Sequence, residues 1–119
     1  MKIELKRASE PAAPTDGLRI LVDRFWPRGI KKENLACQIW AKNVAPSDEL
    51  RHFFHDDPEG NWEEFRKRYG KELSGNDNFT ALAAQIVAEK PTCVTLVYAF
   101  RNTEHNNAVV MREALKSAL

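Results

Sequence analysis

Two cysteines in 119 residues, Cys37 and Cys93, are too few for a disulfide framework, and they are not spaced as CxxC. No apolar run approaches the roughly 20 residues needed to cross a bilayer. Met1 to Lys6 alternates charged and apolar residues, which is not a signal-peptide core. There is no excess of one charge: 18 basic against 17 acidic side chains leave +1. That excludes the bulk positive field of a nucleic-acid coat or polybasic membrane peptide, though not a local basic patch. The five glycines form neither GxGxxG nor GxxxxGK[ST], so no familiar phosphate loop is present. HExxH and the Ser/His/Asp and Cys/His nucleophile patterns are also missing. What remains is 43% hydrophobic and 29% charged, without repeats: one globular domain over residues 1–119, expected in a reducing, cytoplasmic setting with no membrane partner.

The hydrophobic pattern predicts an α/β domain, a small mixed or mostly parallel sheet covered by about four helices. Ile3 and Leu5 share a strand face. Arg19-Ile20-Leu21-Val22, launched by Asp16-Gly17, reads as a strand buried on both faces. Cys37, Ile39 and Ala41 alternate as a third strand, and Cys93–Tyr98, rich in β-branched residues, as the strongest. Ser47 is placed to cap a helix carrying Leu50, Phe53 and Phe54, and Asn61 to cap one carrying Trp62, Phe65, Tyr69 and Leu73. A third helix begins after Gly75-Asn76-Asp77, with Phe79, Leu82, Ile86 and Val87 inward, and Lys90-Pro91 ends it. The last starts near Asn106 and buries Ala108, Met111 and Leu115.

In open α/β sheets ligands sit beyond the carboxyl ends of the strands. Here those ends run into Asp23-Arg24-Phe25-Trp26-Pro27-Arg28-Gly29 and Arg101-Asn102-Thr103-Glu104-His105-Asn106. Pro27 and Gly29 suit the second and fourth positions of a type I turn, which makes a rigid loop. Arg24 and Arg28 offer planar donor forks for phosphate or carboxylate, and Trp26 a ring for stacking. Arg101, Asn102, His105 and Asn106 add polar groups near a helix N-terminus. These seven form the candidate site for a small anionic or nucleotide-like ligand, with His105 the one ordinary general acid/base.

Each residue also has a plainer use. Trp26 can cover the sheet edge, Arg24 can pair with an acid, and Asn106 can simply cap its helix. His52 and His55 at i, i+3 beside Asp56 and Asp57 suggest a metal, but without HExxH or a nearby cysteine pair they are read as structural. No metal or cofactor is expected. Arg66-Lys67-Arg68 with Lys71 is the one dense basic cluster. Glu63, Glu64 and Glu72 answer it, so it reads as a solvated face and not a nucleic-acid surface.

Asp16-Gly17, Arg19 to Arg24, Trp26-Pro27-Arg28-Gly29 and Lys32 form a distinctive opening. Trp40-Ala41-Lys42, Ala45-Pro46-Ser47, Leu50-Arg51, Trp62, Phe65, Tyr69 and Glu72-Leu73 follow, and then Thr95 to Tyr98, Asn102, His105-Asn106 and Ala108 to Val110. Across nearly the whole chain this resembles the YeaO-like family, a bacterial and archaeal domain of unknown function. The resemblance implies a single α/β domain with its shared polar positions in the two loops above, and brings no established activity. Members have been labelled transcriptional regulators without a DNA-binding motif. A common family form has an acid where this chain has Asn102. If that acid is a general base, the amide is inert here while binding survives.

The expectation to test is that the two loops meet, bringing Arg24, Arg28 and Arg101 to one concavity. The alternative is a protein- or nucleic-acid-interaction module using Arg66–Lys71.

Overall fold

A computed structural model describes residues 1–119. Four strands, β1 (Lys2–Arg7), β2 (Leu18–Leu21), β3 (Ile39–Trp40) and β4 (Cys93–Tyr98), form one sheet in the order β1-β4-β2-β3, and every pairing is parallel. Parallel neighbours need long crossovers, and the helices occupy them. They are α1 (Lys32–Leu35), α2 (Asp48–Asp56), α3 (Trp62–Ser74), α4 (Asp77–Glu89) and, after the last strand, α5 (Asn107–Ala118). No helix is long and apolar enough to cross a membrane.

The most apolar strand lies at the centre. β4 is hydrogen-bonded on both edges, with Leu5 and Ile20 both opposite Leu96. Alternation then divides its side chains. Ile3, Ile20, Val22, Val94, Leu96 and Tyr98 join the main core with Phe65, Tyr69, Leu73, Met111 and Leu115 from α3 and α5. On the opposite face Leu21 and Val97 meet Leu35, Ala8 and the partly buried Trp26, Ile30 and Cys37, so loops rather than long helices cover that side.

The caps at Ser47 and Asn106 form as the sequence suggests. Ser47 Oγ accepts the Leu50 N–H, while the Glu72 carboxylate accepts both the Ser47 N–H and its hydroxyl, pinning α3 to the start of α2. Buried Tyr69 donates its hydroxyl to the Val44 carbonyl at 2.6 Å. Burial and the nearby Asp23 and Glu72 charges push its pKa far above the ordinary tyrosine value.

Several local expectations need correction. Asn61 does not cap with its side chain; its amide donates to the Phe53 carbonyl and ties α3 to α2. Val87 is 59% exposed, because one residue past Ile86 turns it about 100° away from the buried stripe. The third strand shrinks to Ile39–Trp40, and the short helix α1 before it was not foreseen. The bend in Trp26–Gly29 falls at Arg28-Gly29. Gly29 takes φ 74°, which a type II turn needs at its third residue and a type I turn does not.

Arg19 does not belong to an apolar run. It is 2% exposed, with Nε and Nη2 donating to the Leu35 carbonyl at 3.0 and 2.7 Å and Nη1 to Asp16 at 2.6 Å. Asp16 also accepts from Lys6 Nζ and from the Ala13 N–H. Burial pushes the Asp16 carboxyl up, but those hydrogen bonds outweigh it and hold its pKa below the ordinary aspartate value. The next residue, Gly17, has φ 66° and lies so close to the Cys93 carbonyl that a Cβ would collide with it.

Candidate functional site

Because β2 and β4 are paired, with Leu21 opposite Val97, their continuations emerge side by side. Asp23 joins them. Its Oδ2 accepts the Ala99 N–H at 2.9 Å, and its Oδ1 accepts from the Asn107 side chain, which also donates to the Val22 carbonyl. One carboxylate thus holds the end of β2, the end of β4 and the start of α5 together. Burial raises the Asp23 pKa, even though both hydrogen bonds favour the charged form.

Above this junction lies a cleft of about 740 Å³. Arg24, Arg28 and Arg101 all line it, and Arg51 of α2 makes a fourth. Arg24 Nη2 donates to the Pro46 carbonyl at 3.1 Å, and its Nε stands 3.7 Å from Asp48; Arg51 Nη2 lies 3.5 Å from the same carboxylate. The Nε of each is shut off from solvent and donates to nothing. Arg28 and Arg101 are exposed and make no ion pair within 4 Å. The inner wall is aromatic. Phe54 stacks on Phe65 at 4.3 Å and lies 5.3 Å from Phe100, which stacks on His55 at 5.2 Å. Burial, with help from Arg51 and His52, lowers the His55 pKa.

The other expected residues divide. Trp26 and Asn102 line the cleft, but Trp26 donates to the Ile30 carbonyl at 2.7 Å and sets its ring edge-on to Trp40. Asn102 Oδ1 accepts the N–H groups of Glu104 and His105, and its amide donates to Glu59 at 2.7 Å. His105 and Asn106 are not in the lining. The His105 ring stacks on Trp62 at 4.6 Å with Nδ1 3.2 Å from Glu59. Asn106 is fully buried, accepting the Val109 N–H and donating to the Asn102 carbonyl. Sequence reasoning did not select Asp23, Arg51, Phe25, Phe54, Phe100 or Asn107 for the site. Of these, Asp23 and Arg51 carried a signal, since both fall in the family pattern, Asp23 in the Arg19 to Arg24 block and Arg51 in the Leu50-Arg51 pair.

A family model described as the inactive DUF488-N3 subclade matches residues 2–119. The chain belongs to this family. It is 43% identical over 117 residues to the uncharacterized protein YeaO of Escherichia coli, covering 98% of this chain and 99% of that one. Uncharacterized proteins of Mycobacterium tuberculosis and Mycobacterium bovis are each 40% identical over 114 residues, 96% of this chain and 93% of theirs. No solved structure matches significantly.

In this DUF488-N3 chain the cleft is rich in charge, with His55, Asp57 and Glu59 lining it beside the arginines. Asn102 presents an amide, which has no basic lone pair to offer. Asp23 already accepts two hydrogen bonds. No three His, Cys, Asp or Glu side chains stand together as metal ligands. The arrangement can hold charge and a flat surface in place.

Proposed function

We propose that the cleft binds a small anionic molecule and does so without turnover. One observation carries this reading. Arg28 and Arg101, on separate loops and free of carboxylate partners, line the same cleft as Arg24 and Arg51, whose Nε atoms lack acceptors. Like charges lining one cleft repel, and a planar guanidinium fork matches the oxygens of phosphate or carboxylate. The position, beyond the carboxyl ends of β2 and β4, is where open α/β sheets hold ligands, and the volume falls within the range of small-molecule sites. The absence of turnover is supported by the amide at Asn102, by His105 being held against Trp62 and Glu59, and by the subclade's description as inactive.

The interaction-module reading has less support. Arg66 pairs with Glu63 and Glu113, and Arg68 with Glu64 while lying over the Phe53 ring.

The test is thermal unfolding with phosphate, pyrophosphate, sulfate and citrate. A ligand of the folded state present at 100 times its Kd adds about 2.7 kcal/mol and raises the melting temperature. If no anion shifts the transition, the reading fails.

A further inference from the structure

We infer that the anion carries a flat aromatic or heteroaromatic ring, which lies on Phe25 while the charged group meets Arg28 and Arg101. This rests on the anion reading above and narrows it. A bare oxyanion would use only the arginine rim and leave the exposed Phe25 ring and the half-buried Phe100 uncovered. About 740 Å³ suits an organic molecule that offers both a charged group and an apolar face.

Phe25 is the most specific pointer. At 59% exposed it is the most exposed aromatic side chain in the protein, and it lines the cleft. Its exposure is enforced by its neighbours. Two residues before it, Asp23 is tied to Ala99 and Asn107; immediately after it, Trp26 is tied to Ile30 and packed against Trp40. Pro27 then restricts the backbone at Trp26. With the chain pinned on both sides, the Phe25 ring is held out of the core. The Arg51 guanidinium lies over it, 5.1 Å from the ring centroid. A second flat ring on Phe25 would extend this stack of cation and aromatic, an arrangement used to hold bases and other planar groups.

The base of a nucleotide and a free aromatic acid share this chemistry, and calorimetric titration separates them. Inorganic phosphate, ribose 5-phosphate, adenosine 5′-monophosphate and 2-naphthoate are titrated into the protein and into Phe25→Ala, an exposed position whose loss leaves the core intact. At least one aromatic probe should bind about ten-fold or more tighter than either non-aromatic one, and Phe25→Ala should remove that advantage. Preference for adenosine 5′-monophosphate indicates a nucleotide, and preference for naphthoate an aromatic acid. Equal binding of aromatic and non-aromatic anions, or an advantage that survives Phe25→Ala, overturns the inference while leaving the anion reading standing. If no probe binds, phosphate included, both fall.

Discussion

Replacing Asp16 by alanine should be among the most damaging single changes to this fold. The carboxylate meets Arg19 at 2.6 Å, Lys6 at 3.1 Å and the Ala13 N–H at 2.9 Å, and the Arg19 side chain is only 3% exposed. Without Asp16, the Leu35 carbonyl still engages two guanidinium nitrogens, but the buried positive charge has lost its counter-charge. Breaking a buried pair in this way typically costs about 3–5 kcal/mol, against about 0–1 for an exposed pair. For a chain of this size that corresponds to a fall of roughly 12–20 °C in melting temperature. Urea unfolding at pH 7, followed by circular dichroism, measures it. The pH dependence has a definite sign. Because the Asp16 pKa is lowered in the folded state, its contribution is present above the ordinary value of 3.8 and is lost as pH falls through the folded value. The gap between wild type and variant should therefore narrow in acid. Adding Arg19→Met should cost less than the sum of the single changes, since it removes the charge that Asp16→Ala strands. A loss below about 1 kcal/mol for Asp16→Ala, at the level of an exposed pair, would refute this account of the network.

Gly17→Ala should cost about 3 kcal/mol or more, because positive-φ strain is joined by collision with the Cys93 carbonyl; Gly29→Ala, with open space around it, should cost only about 1–2 kcal/mol. Equal losses in urea unfolding would contradict that difference. Asn106→Ala removes the cap of α5 and its tie to the Asn102 carbonyl, and should cost about 1–2 kcal/mol, with amide exchange rising first in the opening turn of the helix. The Asp23 carboxyl, followed by carbon NMR, should titrate above the ordinary aspartate value of 3.8. Between the unfolded and folded pKa values the native state binds the extra proton, so this group's contribution to stability falls as pH rises. A midpoint at or below 3.8 would contradict the burial of Asp23.

Features governed by local chemistry were legible in the sequence. The β-branched run Cys93–Tyr98 specifies its own strand, and Ser47 and Asn106 cap helices because a short acceptor precedes free N–H groups. The arginines at the two strand ends were readable because parallel α/β architecture places such ends together. The Arg19–Asp16 pair was hidden, since the two intervening residues and a tight turn decide whether the two groups meet. Arg51 and Phe54 reach the cleft only through the packing of α2 against α3, which no local pattern reports. His105 has the chemistry of a catalytic group, but its stacking on Trp62, 43 residues away in the chain, keeps it out of the cleft lining.

The central claim is that Arg28 and Arg101 hold an anion jointly. Titration calorimetry of pyrophosphate into wild type and Arg28→Ala/Arg101→Ala tests it most directly, because both side chains are exposed and their removal leaves the core untouched. The account predicts saturable binding by the wild type, weakened about a hundred-fold or more in the double variant, at about 1.5–3 kcal/mol for each charged hydrogen-bonding group lost. Binding of equal strength in both proteins, or none in the wild type, would contradict it.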